Sequence, residues 1–149
     1  MLKQKLQEEL RQSMLAKDTL KTSVLRMLLS AINYYEIQKG GAGYEATDED
    51  VLSVIQKEVR QHKDSIEQFQ KAGRQELVDK ETKELELLQK YLPKQISEGE
   101  VSNLVKEAIK QTGATGVKDI GKVMGALMPK LKGKADGGIV SKIVKEQLS

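Results

Sequence analysis

From Leu2 onward the apolar residues recur at every third or fourth position, and nowhere do they alternate with polar ones over the length of a strand. A period near 3.6 is the signature of amphipathic helices, so the chain has little choice but to fold as a helical protein. Leu2, Leu6, Leu10 and Met14 draw one stripe along a first helix over Leu2 to Lys17, and Asp18 and Thr19 supply capping oxygens for a second. In that second helix Leu20, Val24, Met27, Leu28, Ala31 and Tyr35 form a stripe that Leu25, Leu29 and Ile32 widen. A helix apolar around most of its girth belongs at the centre of a bundle. Gly40, Gly41 and Gly43 end it, and Thr47 with Asp48, Glu49 and Asp50 opens a third helix with a cap and with charge suited to its dipole. The third helix buries Val51, Ile55, Val59, Ile66 and Phe69 and stops near Gly73. A fourth bears Val78, Leu85, Leu88 and Leu92 and closes at Pro93, because proline disfavours helical geometry in the residue before it.

After Pro93 the pattern restarts. Ser97 and Glu100 have capping-box spacing ahead of Val101, Leu104, Val105, Ala108 and Ile109, with Gly113 at the stop. A short helix with Ile120, Val123, Met124 and Leu127 runs up to Pro129, and a last one carries Ile139, Val140, Ile143, Val144 and Leu148. The expected fold class is all-α: a four-helix N-terminal domain, residues 1–93, followed by a small three-helix tail domain, residues 94–149. A chain of 149 residues is long enough for one ordinary domain or two small ones.

Composition removes several function classes. Without cysteine there are no disulfides, thiolate metal sites or cysteine nucleophiles, which agrees with a reducing compartment, the cytoplasm by default. The first twenty residues lack the apolar run of a signal peptide or membrane span, so neither secretion nor membrane insertion is expected. One Phe, four Tyr and no Trp leave few rings on which unstacked bases could rest. The charge is uneven: Met1 to Pro93 carries 15 Lys and Arg against 16 Asp and Glu, whereas Lys94 to Ser149 carries 10 cations, all Lys, against 6 acids.

The richest local chemistry lies between Lys118 and Gly138. With Ile120, Val123, Met124 and Leu127 facing inward, Lys118, Lys122, Gly121 and Gly125 fall on the outer or flanking side of one helix. A mid-helix glycine costs about 1 kcal/mol relative to alanine, so Gly121 and Gly125 imply close approach by a packed helix or by a ligand. Lys118, Lys122, Lys130, Lys132, Lys134, Lys142 and Lys145 would form one phosphate-attracting face if the last two helices pack antiparallel. The alternative is an ordinary solvated lysine surface. Gly133-Lys134 is not a nucleotide-binding loop, because Met128 and Ala135 stand where a glycine and a Ser or Thr are needed and no strand precedes it.

Elsewhere, His62, the only histidine, falls on the apolar stripe of the third helix and Glu81 interrupts that of the fourth, a pairing open to acid–base chemistry or to plain structural contact. Arg26 is expected in an ion pair, and Glu76, Glu81, Glu84 and Glu86 are expected mainly to form a solvated face. No nucleophile or oxyanion device accompanies them, so no catalytic residue, metal or cofactor is expected.

Tyr91-Leu92-Pro93, the run Lys118-Asp119-Ile120-Gly121-Lys122-Val123-Met124-Gly125, and Gly133-Lys134-Ala135-Asp136-Gly137 resemble the YqeY family, as do Leu25-Arg26-Met27-Leu28 and Ala72-Gly73-Arg74. The resemblance covers essentially the whole chain. The family's tail is similar to the C-terminal domain of the B subunit of the glutamine-dependent amidotransferase that amidates mischarged Glu-tRNA or Asp-tRNA. This implies a helical domain plus a three-helix tail that touches tRNA, with a tRNA-processing enzyme or another protein as a further partner. It does not imply the reaction, since the serine-and-lysine centre and the nucleotide site of such enzymes have no counterpart here. Lys122, Lys132 and Lys134 are the foremost phosphate contacts on this reading, with Gly121, Gly125 and Gly133 allowing close approach. The alternative is a protein-interaction adaptor with no RNA role, in which an apolar groove receives a partner helix.

Overall fold

The computed structural model describes residues 1–149. It contains seven α-helices, one short 3-10 turn and no strand: α1 Leu2–Leu15, α2 Thr19–Gly40, α3 Asp48–Lys71, α4 Gln75–Gln89, α5 Glu98–Thr112, the 3-10 turn Val117–Asp119, α6 Ile120–Leu131 and α7 Gly137–Leu148. The chain divides into two compact units, Met1–Leu92 and Pro93–Ser149.

In the first unit α2 packs against α1, α3 and α4. Its Val24, Leu25, Leu28, Leu29 and Ile32 are buried with Leu6 of α1, Val51, Val54, Ile55 and Val59 of α3, and Leu88 of α4. The expected stripe of α1 is corrected at its end, where Met14 is 50% exposed and Ser13 is buried in its place. Steps of four residues rotate by about 40° each, so Met14 lies about 120° around from Leu2, whereas Ser13 returns to within about 20°. The buried Ser13 hydroxyl donates to the Leu10 carbonyl and pairs with Thr22 Oγ1 at 2.9 Å. Met27 of α2 is also half-exposed. Helix α4 ends at Gln89, before Pro93.

The start of α3 is a full capping box, with the Thr47 hydroxyl accepting from Asp50 N and the Asp50 carboxylate accepting from Thr47 N. The same carboxylate accepts from the hydroxyls of Tyr35 and Tyr44, at 2.9 and 2.6 Å, and from Lys39 Nζ at 3.1 Å. Burial opposes ionisation of Asp50, but these donors outweigh it and hold the carboxyl well below its usual range. Nearby, the Glu36 carboxylate joins three segments by accepting from Lys3 Nζ at 2.8 Å and Ala46 N at 2.7 Å.

In the second unit α5, α6 and α7 pack in all three pairings around Val101, Val105, Ala108, Val123, Leu127, Leu131, Ala135, Val140, Val144 and Leu148. Helix α6 runs through Pro129 to Leu131 rather than stopping there. A proline this close to the C-terminus forfeits only its own bond to the Gly125 carbonyl, and core-facing Leu131 repays the extra turn by being fully buried. The α6–α7 turn is fixed from below: Gln95 Nε2 donates to the Gly133 carbonyl at 2.7 Å and Ile96 N donates to the Lys134 carbonyl at 2.9 Å.

Candidate nucleic-acid interface

Helix α6 turns Val123, Leu127 and Leu131 into the core. At about 100° per residue, Gly121, Lys122, Gly125 and Pro129 then share the opposite arc, and all four are exposed. A Cβ placed on Gly121 or Gly125 would meet nothing within 4 Å. Packing inside this chain therefore does not account for either glycine. The outer face of α6 is bare backbone flanked by an ammonium group.

The seven candidate lysines of the tail are all exposed, but they occupy different settings. Lys118 and Lys122 flank Asp119, whose carboxyl is held below its usual range first by the Thr115 backbone N–H at 3.0 Å and then by these two cations. Lys130 lies toward the core-flanking side of α6. Lys132 and Lys134 bracket Gly133 in the α6–α7 turn. Gly133 is buried and has φ 72°, so its backbone conformation by itself calls for glycine. Lys142 and Lys145 project from the side of α7 away from Val140, Val144 and Leu148, and Glu146 shares that arc on the far side of Lys142. Asp136 caps α7 by accepting from Gly138 N at 2.8 Å.

The other sequence candidates lie in the first unit. The His62 ring is buried, and its Nδ1 sits 2.8 Å from the Glu58 carbonyl. Its Nε2 faces Glu84 Oε2 at 3.1 Å and Glu81 Oε2 at 3.5 Å. The expectation that Glu84 belongs to a solvated face is corrected: it is 4% exposed and is the nearer partner of His62. The sequence signal was there, since Glu84 follows Glu81 by three residues and precedes Leu88 by four, on the buried side of α4. Arg26 is exposed and sets its guanidinium 3.9 Å from the Met14 sulfur instead of forming an ion pair.

Fold and site together define a wholly helical protein of two units, with a lysine-rich second unit whose α6 presents bare backbone. The family model described as Yqey-like protein matches residues 3–148, and the chain belongs to the YqeY family. Among its curated relatives, "Altered inheritance of mitochondria protein 41, mitochondrial" of Pyrenophora tritici-repentis is 39% identical over 104 residues, covering 67% of this chain and 56% of the relative. The protein of the same name from Lachancea thermotolerans is 37% identical over 121 residues, covering 76% of this chain and 63% of the relative. The matched region thus spans less than two thirds of either relative. The names of these relatives place them in mitochondria, and no helix of this chain is long and apolar enough to cross a membrane.

Proposed function

We propose that the second unit binds the phosphate backbone of a structured RNA, tRNA foremost, and that the chain serves as an accessory module to a tRNA-processing enzyme such as a glutamine-dependent amidotransferase. The observation that carries this reading is the open Gly121–Gly125 face beside Lys122, two helix-weakening residues that no internal contact explains. Bare backbone lets a bulky, charged ligand approach closely, and ammonium groups attract phosphates without reading bases. The scarcity of aromatic rings fits recognition of shape and charge rather than of splayed bases. Any amide-transfer chemistry would come from the partner enzyme. The absence of cysteine suits a reducing aqueous compartment such as the cytoplasm.

Replacing Lys122, Lys132 and Lys134 together by Ala tests the reading. These side chains are exposed, so the fold should persist while affinity for bulk tRNA falls by about tenfold or more at physiological salt. Unchanged affinity would refute it. A second reading, a protein adaptor, draws on one observation: Met14, Leu15 and Met27 are 50%, 72% and 49% exposed. Met14 and Met27 line a broad concavity of about 670 Å³ with Arg26 and Thr22. Such a surface fits the apolar side of a partner helix, and a salt-insensitive complex lost on replacing Met14 and Met27 by Ser would favour it.

A further inference from the structure

The hydrogen-bond inventory around His62 does not close for a neutral ring. Nδ1 lies 2.8 Å from the Glu58 carbonyl, which only accepts, so Nδ1 carries a proton and donates. In a neutral imidazole that leaves Nε2 as a bare lone pair, yet it points at Glu84 Oε2 and Glu81 Oε2, 3.1 and 3.5 Å away, which as ionised carboxylates also only accept. The ring is 7% exposed and Glu84 4%, so water does little to screen these two acceptors from each other. Something positive belongs between them. A proton on Nε2 would satisfy one carboxylate, would serve the second poorly at 3.5 Å, and would leave one negative charge over among the three groups.

We infer that His62, Glu81 and Glu84 form a binding site for a divalent first-row transition-metal ion, for which zinc is the natural probe. One imidazole and two carboxylates with a 2+ ion make a neutral set. Ligands held at about 2.0–2.1 Å in tetrahedral geometry stand about 3.3–3.4 Å apart, and the two separations from Nε2 fall on either side of that spacing. The three ligand atoms all lie within 4.8 Å of one another. A backbone carbonyl holding the far nitrogen of the ring, as Glu58 does here, is the usual way a ligating histidine is oriented and made more basic. The nitrogen donor and the small ligand set favour zinc, manganese, iron or cobalt over magnesium or calcium, which seek more oxygen ligands.

Room for one small molecule lies beside two of the three residues, His62 and Glu84. A cavity of about 10 Å³, the size for a single water, adjoins the cluster and is lined by Glu58, His62, Glu84, Val24 and Leu88 among others. Because His62 comes from α3 and both glutamates from α4, the ion would also clamp these two helices together.

The test uses the untagged full chain, stripped with a chelator, since His62 is then the only imidazole present. Titration with Zn2+ should show one tight site per chain, raise the thermal midpoint, and shift the ring resonances of His62 stoichiometrically. Glu81→Gln, at a partly exposed position, should fold and bind at least about tenfold more weakly, and Glu84→Gln should lose the site. A His62 ring that does not respond to saturating Zn2+, Mn2+ or Co2+ would overturn the inference. So would zinc affinity unchanged in the folded Glu81→Gln variant, because the ion would then sit on other carboxylates.

Discussion

Gly125 offers a test in which stability and function should move in opposite directions. It sits mid-way along α6, on the arc away from the core, and a Cβ there would meet nothing within 4 Å. Its φ is not in the left-handed region, so an L-residue fits without strain. Gly125→Leu should therefore stabilise the chain by about 0.5–1 kcal/mol, from helix propensity and from the reduced freedom of the unfolded chain. Gly121→Ala, in the first turn where fewer bonds depend on helical geometry, should gain about half as much. For a unit of about 60 residues, 1 kcal/mol corresponds to a rise of roughly 4–8 °C in the midpoint of its unfolding, measured by circular dichroism on the full chain. The same leucine would hold a phosphate backbone several ångströms off the helix, so tRNA affinity should fall while stability rises. A destabilised Gly125→Leu would mean that the face is packed after all, and a stabilised variant with unchanged tRNA affinity would mean that the bare face is not where RNA binds.

The remaining predictions concern the first unit. Asp50→Ala removes the carboxylate half of the α3 capping box and leaves two tyrosines, Lys39 and the Thr47 backbone N–H without their acceptor, and should cost about 2–4 kcal/mol in urea unfolding. Because the folded pKa of Asp50 is depressed, its contribution is present above the unfolded value near 4 and is lost as pH falls through the folded one, so the gap between wild type and Asp50→Asn should narrow on acidification below about pH 4. Leu25→Ala, at a fully buried position in α2, should cost about 2–5 kcal/mol in the same assay.

Periodicity made the helical class and the order of the helices readable, because each helix needs an apolar face and most starts after α1 have a side-chain cap or a charge suited to them. Asp18, Thr47 and Ser97, marked in the sequence as starts, each accept a backbone N–H at the head of a helix. Errors arose where a local rule met a longer-range one. The four-residue spacing of α1 suggested Met14 as core, but helical drift had already carried it to the surface. Pro129 looked like a stop, although a proline near a helix end costs only one bond. The candidate site was legible in part. The glycine–lysine face could be placed on one side of α6 from spacing alone, whereas whether a neighbour covered Gly121 and Gly125 depends on tertiary packing. Glu84 was missed because acidic residues crowd α4, and composition favours solvation until His62 on another helix is known to face it.

RNA binding by the second unit is tested most directly by titrating the untagged wild-type chain with bulk tRNA across a range of monovalent salt. If three lysines neutralise phosphates, log affinity should fall linearly with log salt with a slope of about −2 to −3, and the variant lacking Lys122, Lys132 and Lys134 should flatten it. No binding at low salt, or binding indifferent to salt, would contradict a phosphate-contact tail.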